Sequence, residues 1–240
     1  MALSPHQVRH YREHGYVVVP GFFTETAAEM IAHYMQRRAE GPKPGDTGGT
    51  TDHPDDPNHQ YPRMINMHNW DEPTMEWATR PDLMDAVGQL IEDQAVLIQT
   101  MLYFKPPGGR GQALHQDQQY ITTDPLIGVW VPLERSDRAV GQMVVVPGSH
   151  LHGLLEVEAA DTAISFTQAQ SLIPEGLEEV GLDMRAGDAL FFAGKCIHGS
   201  YPNTTADRWR RTFICHYVGE HAQKFEPPQG RHVSHVKATP

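Results

Sequence analysis

The chain has 240 residues, with 19 basic against 30 acidic side chains and a formal net charge of −11. That balance argues against a nucleic-acid partner, because a phosphate backbone is met by a basic face. No apolar run approaches the roughly 20 residues that span a bilayer.

The length suits one domain, residues 1–240, with a sizeable core. The N-terminus lacks the charged and apolar regions of a secretory signal, and two cysteines make no disulfide framework. Cys196 and Cys215 are therefore expected to be buried free thiols in a cytoplasmic protein.

Helices come first in the chain. Ser4 caps and Pro5 opens a helix to about residue 14, Gly15 ends it, and 16–19 is a short strand. Thr24 reads as the N-cap of a helix over 25–39, where Ala27, Ala28, Ile31, Tyr34 and Met35 recur at helical spacing. Residues 41–62 are rich in Gly, Pro, Asp, Thr and His and lack periodicity, so they read as a long loop, with a lid over a site as the functional reading. A third helix is expected over 81–91. From Gln94 onward the pattern is strand and turn, with strands over 96–105, 127–133, 142–146, 189–193 and 212–218. Residues 226–240 are polar and expected to fray. The fold class is mainly β with flanking helices, and strands separated by turn signals suit a sandwich or barrel.

The chemistry concentrates in Leu114-His115-Gln116-Asp117 and, far along the chain, Ile197-His198-Gly199-Ser200. Residues i and i+2 of a strand share a face, so His115 and Asp117 can aim at one point while His198 arrives from another strand. Two imidazoles and a carboxylate can hold one face of Fe(II) and leave the opposite positions for a cosubstrate and dioxygen. A 2-oxo acid that chelates iron leaves its far carboxylate to be gripped elsewhere, and arginine suits that task through its two-pronged fork. Arg208, Arg210 and Arg211 follow His198, and the Ser200 hydroxyl can assist.

The ordered set of Thr100-Met101-Leu102 with Lys105-Pro106-Pro107, Leu114 to Asp117, Trp130 with Glu134, Val146-Pro147-Gly148-Ser149-His150, His198-Gly199-Ser200, and Arg210 through Cys215-His216-Tyr217 resembles the phytanoyl-CoA dioxygenase family of Fe(II)/2-oxoglutarate oxygenases. The resemblance implies a double-stranded β-helix, or jelly roll, and a requirement for Fe(II), 2-oxoglutarate and O2. It implies His115, Asp117 and His198 as metal ligands and Arg210 with Ser200 for the far carboxylate. Met101, Gln116 and Trp130 match positions lining the 2-oxoglutarate site. The register of the Cys215-His216-Tyr217 block selects Arg210, with Arg208 and Arg211 left open.

Candidate contacts to the substrate are Gln99, Tyr103, Gln118, Tyr120, Arg63 and His68; for Arg63 the resemblance also leaves open a basic position near the cosubstrate, or solvent, and His53 and His59 read as exposed. The leading functional reading is hydroxylation of a small molecule with release of succinate and CO2. The competing readings are a metal-binding sensor without catalysis, and a related oxygenase that desaturates, cyclises or acts on an acyl-CoA. The oligomeric state is left open.

Overall fold

The computed structural model describes residues 2–40, 47–48, 57, 61 and 63–229. The expectation of a lid over 41–62 therefore falls almost wholly outside the described residues, as does the tail beyond 229.

The first helix, α1 (Pro5–His14), is closed at its N-terminus by a reciprocal pair: Gln7 N–H donates to Ser4 Oγ and Ser4 N–H donates to Gln7 Oε1. Gly15, at φ 79°, ends it in the left-handed conformation that only glycine adopts freely. Strand β1 (Tyr16–Val19) follows. Helix α2 spans Ala27–Ala39 and begins later than Thr24 suggests. The amides of Thr26 and Ala27 both donate to Phe23 O, so residues 23–26 form a turn before the helix starts. After β2 (Thr47–Gly48) and β3 (Arg63–Ile65) comes α3 (Glu72–Ala78), a helix the sequence pattern did not reveal. It is seven residues long and owes its start to Asp71, whose carboxylate accepts from Thr74 N–H. Helix α4 (Pro81–Ile91) matches expectation.

The remaining strands are β4 (Ala95–Lys105), β5 (Gln112–His115), β6 (Thr123–Pro132), β7 (Met143–Val145), β8 (Val157–Ala159), β9 (Ala169–Ser171), β10 (Val180–Gly181), β11 (Ala189–Ala193), β12 (His198–Ser200) and β13 (Arg210–Lys224). Two antiparallel sheets form the body, ordered β1-β11-β6-β13-β4-β3-β2 and β10-β7-β12-β5; β8 and β9 make a separate ribbon. This is the jelly roll. Period-two alternation sorts its residues. Phe213, Cys215 and Tyr217 of β13, Leu102 and Phe104 of β4, and Val129 and Val131 of β6 join the cluster that includes Met30, Tyr34, Trp77, Leu83 and Val87 of the helices. The intervening residues Trp130 and Ile214 join Met143, Val145, Leu190, Phe192 and Cys196 in the smaller cluster between the sheets. Each fully buried large apolar side chain contributes about 1.5–3 kcal/mol, so the helix-covered face anchors the large sheet and leaves its other face to build the site. Both cysteines are free and buried, and burial pushes each thiol up to about 12. No helix among the described residues is long and apolar enough to cross a membrane.

Candidate active site

His115 closes β5 and His198 opens β12, and the two are direct cross-strand partners. Their ring centroids are consequently 4.2 Å apart. Asp117 does not continue the strand as the spacing predicts. Gln116 is still extended (φ −115°, ψ 129°), but Asp117 opens a 3-10 turn over Asp117–Gln119. The turn is fixed by Gln116 N–H donating to Gln119 Oε1 and Gln119 N–H donating to Gln116 O. One extended residue is enough to keep His115 and Asp117 on the same side.

Asp117 Oδ1 lies 3.5 Å from His115 Nε2 and 3.5 Å from His198 Nε2, and one ligand atom from each residue falls within 4.8 Å of the others. Each imidazole is oriented from behind. His115 Nδ1 is 2.9 Å from Ala113 O and His198 Nδ1 is 3.0 Å from Cys196 O. A carbonyl only accepts, so both Nδ1 atoms carry the proton and Nε2 is the atom each ring turns toward the shared point; His115 Nε2 there meets the Gln112 side-chain amide at 3.0 Å. His216 Nε2 donates to Asp117 Oδ2 at 2.9 Å. Burial opposes the Asp117 charge, yet the imidazoles of His198 and His216 and the hydrogen bond from His216 hold the carboxyl well below its ordinary range. Burial and the adjacent His115 push His198 down to about 4, so its lone pair is available at neutral pH. Two imidazoles and one carboxylate, converging from one side, fit a divalent cation such as Fe(II) with open positions. A second group of potential donors, Asp93, Glu220 and His221, is largely exposed and internally hydrogen-bonded.

The three arginines after His198 separate clearly. Arg208 pairs with Asp137 at 2.6 Å and Arg211 with Glu134 at 2.7 Å. Arg210 is 2% exposed and pairs with no described carboxylate. Its Nη1 donates to Gly141 O at 3.0 Å and its Nε is buried without a partner. The guanidinium carbon sits 5.1 Å from the Tyr103 ring and 5.5 Å from the Trp130 ring. Burial lowers Arg210 to about 10, which leaves it charged at neutral pH. Gly141 has φ 81°, and a β-carbon there would collide with Tyr201 O, so glycine is what lets this carbonyl reach the guanidinium.

Lys105, directly across from Arg210 and fully buried, donates to Ser200 Oγ at 3.0 Å and to Tyr201 O at 2.5 Å. Ser200 lies two residues after His198 on β12, so one strand ties the metal ligand to this basic floor.

Of the other residues singled out from the sequence, Gln99, Met101 and Tyr103 alternate with the helix-facing residues of β4, and Trp130 stands beside Arg210. Tyr120 packs edge-on against His115 with centroids 5.9 Å apart. Arg63 lies over Phe166 at 5.6 Å. Three residues turn elsewhere. The Gln116 amide donates to Gly153 O and Lys195 O and accepts from Leu155 N–H. Gln118 donates to Thr123 O and Asp124 Oδ1. His68 Nδ1 meets Thr100 Oγ1, on the face of β4 opposite Met101 and Tyr103. Sequence reasoning missed His216 and Lys105 as site residues. For Lys105 a signal existed, since a lysine two residues after Tyr103 continues the inward face of a strand.

The phytanoyl-CoA dioxygenase (PhyH) family model matches residues 11–212. A phytanoyl-CoA dioxygenase of Arabidopsis thaliana is 27% identical over 208 residues, covering 82% of this chain and 68% of that protein. A probable phytanoyl-CoA dioxygenase of Caenorhabditis elegans is 30% identical over 174 residues, covering 67% of this chain but only 55% of its relative. Among solved structures, the epimerase SnoN in complex with Fe3+, alpha ketoglutarate and nogalamycin RO has a TM-score of 0.73 at 19% identity, covering 97% of this chain and 92% of that one. With the His-Asp-His centre in a jelly roll and the family model spanning most of its length, the chain belongs to the phytanoyl-CoA dioxygenase family of iron- and 2-oxoglutarate-dependent oxygenases.

Proposed function

We propose that the protein is an Fe(II)/2-oxoglutarate-dependent hydroxylase of a small molecule. The observation that carries the reading is Arg210, a buried guanidinium with no carboxylate partner among the described residues, whose cross-strand neighbour Lys105 bonds to Ser200 on the strand that bears His198. A dicarboxylate cosubstrate fits that arrangement. Its far carboxylate would meet Arg210, with the Ser200 hydroxyl and the Lys105 ammonium beside it, while its other end reaches the His115-Asp117-His198 face. Trp130, Met101 and Tyr103 would wall this space and exclude water, which strengthens each charged contact. When bound, iron and 2-oxoglutarate supply an oxidant strong enough to attack an unactivated carbon, with release of succinate and carbon dioxide. The chain's own residues hold the donors in place and restrict which substrate carbon comes near.

Asp117 favours hydroxylation over halogenation, because a carboxylate in the third ligand position leaves no place there for halide. A small substrate suits the charge distribution better than a coenzyme A thioester. Arg208 and Arg211, the basic residues next to the site, are already paired with Asp137 and Glu134. The likeness to an epimerase keeps product analysis essential.

The test is succinate formation from 2-oxoglutarate in air with added Fe(II), coupled to product mass. Expected is slow succinate release without substrate and the gain of one oxygen atom in the product. Release should be lost in His115→Ala and Asp117→Ala. A protein that binds neither Fe(II) nor 2-oxoglutarate would overturn the reading. Binding of both with no succinate under any substrate would favour the sensor.

A further inference from the structure

We propose that the substrate carries an anionic group, a carboxylate or a phosphate, and that Arg63 is the residue that grips it. This rests on the oxygenase reading above and adds the chemical class of its substrate.

Arg63 begins β3, which pairs with β4 through Met64↔Leu102 and Ile65↔Met101. Met64 and Leu102 both belong to the helix-side cluster. Alternation therefore turns Arg63 to the other face, one register step beyond and opposite Tyr103. Tyr103 is the ring against which Arg210 lies at 5.1 Å. Phe166, beneath Arg63 at 5.6 Å, packs edge-on against the same Tyr103 with centroids 5.9 Å apart. Tyr120, within electrostatic reach of Arg63, packs against the ligand His115 and also senses Asp117. The aromatic pair of Tyr103 and Phe166 thus separates two guanidinium positions, one at the Arg210 floor and one toward the metal ligands.

Arg63 makes no hydrogen bond and no ion pair with any described residue. Burial lowers its basicity, and only Tyr103 and Tyr120 oppose that effect. The cation–π contact at 5.6 Å is a weak return for a desolvated charge. A 2-oxoglutarate whose far carboxylate sits on Arg210 has no second distal anion for Arg63, so the remaining partner comes with the substrate.

The experiment uses the full chain with Fe(II), 2-oxoglutarate and two probes, the acidic and the non-acidic fractions of a cell metabolite extract split by anion exchange. Succinate release is read in wild type, Arg63→Gln and Arg63→Lys. The acidic fraction alone should stimulate wild type. Arg63→Gln should need about 30-fold more of it for half-maximal effect, and Arg63→Lys should fall between. Esterifying carboxyl groups in the fraction should abolish the stimulation if the anion is a carboxylate; phosphatase should do so if it is a phosphate.

The visible absorbance of the anaerobic Fe(II)–2-oxoglutarate complex reports cosubstrate affinity, expected within about threefold of wild type in Arg63→Gln. It also shows that the variant is folded. Stimulation by the non-acidic fraction, stimulation by neither, or an undiminished response in Arg63→Gln would overturn the proposal. So would a large loss of 2-oxoglutarate affinity in that variant, which would assign Arg63 to the cosubstrate. Absence of the absorbance band in wild type would instead overturn the oxygenase reading itself.

Discussion

His216 donates its Nε2 proton to Asp117 Oδ2 at 2.9 Å, while Oδ1 of the same carboxylate faces both ligand imidazoles at 3.5 Å. The two oxygens therefore have separate tasks: one is held by β13, the other is left for a cation. His216→Leu frees the carboxylate to rotate and leaves it buried without its donor. The expected loss is about 10–100-fold in affinity for Fe(II) or for Co(II) as its probe, in line with other partners that orient metal ligands. His216→Gln, which can still donate from a similar position, should recover part of it. Metal titration of the two variants checks the ranking.

Arg210, Arg208 and Arg211 are close in sequence and differ in what they touch. Arg208 and Arg211 are neutralised by Asp137 and Glu134, whereas among the described residues Arg210 has the Gly141 carbonyl and two aromatic rings and no carboxylate. Arg210→Ala should weaken 2-oxoglutarate by about 100-fold, the usual scale for losing one member of a buried charged pair. Arg208→Ala and Arg211→Ala should stay within about threefold, as expected for partly exposed pairs. The dissociation constant for 2-oxoglutarate, measured anaerobically, decides between them; the opposite ranking would move the carboxylate grip to a neighbour.

The sequence made some of this legible and concealed the rest for physical reasons. The helices α1 and α4 carry their own punctuation, Ser4-Pro5 with Gly15 and Pro81, so local chemistry was sufficient. The His-x-Asp spacing was legible because a single extended residue, Gln116, fixes the relative direction of its neighbours even though the strand has already ended. By contrast, α3 carries a local signal, Asp71 as N-cap with Pro73 in the first turn, but its seven residues are too few to show a helical periodicity, and Asp71 is held as well by His33 and Arg37 of the distant α2. The partnership of Lys105 with Ser200, and that of His216 with Asp117, link positions about a hundred residues apart. Sequence spacing carries no trace of such pairs until the register of β4, β13 and β12 is known. Gln116 shows the converse. The family resemblance places it on a wall of the cosubstrate site, while its amide is bonded to three backbone groups.

Asp71 joins two helices through one buried carboxylate. It accepts from His33 Nε2 at 2.9 Å, Arg37 Nε at 2.8 Å, Thr74 N–H at 3.1 Å and the Thr74 hydroxyl at 2.5 Å. Burial raises its pKa, but Thr74 and His33 outweigh that and leave it below the ordinary value. A carboxyl whose folded pKa is depressed contributes stability above its unfolded pKa of about 4, and loses it as pH falls through the folded value. Asp71→Asn should therefore cost about 3 kcal/mol at pH 7, with the gap to wild type narrowing below about pH 4. Urea midpoints at pH 7 and pH 3 measure both parts; an equal gap at the two values would show that the charge is not what matters.

Gln116 lies between two metal ligands in sequence, yet its amide fastens the loop at Gly153 and Leu155 to the turn at Lys195. It is fully buried. Leucine is close to it in volume but would strand two carbonyls and one N–H away from water, at about 1–3 kcal/mol for each group that finds no substitute. Gln116→Leu should then lower stability by about 3 kcal/mol, or roughly 6–12 °C in a chain of this size. In the folded protein, 2-oxoglutarate affinity should change by less than about threefold. Thermal unfolding and cosubstrate titration of the same sample separate the two roles. A stable variant with poor 2-oxoglutarate binding would return Gln116 to the cosubstrate wall. An unstable variant with intact binding identifies it as the brace that keeps His115 and Asp117 aimed at one point.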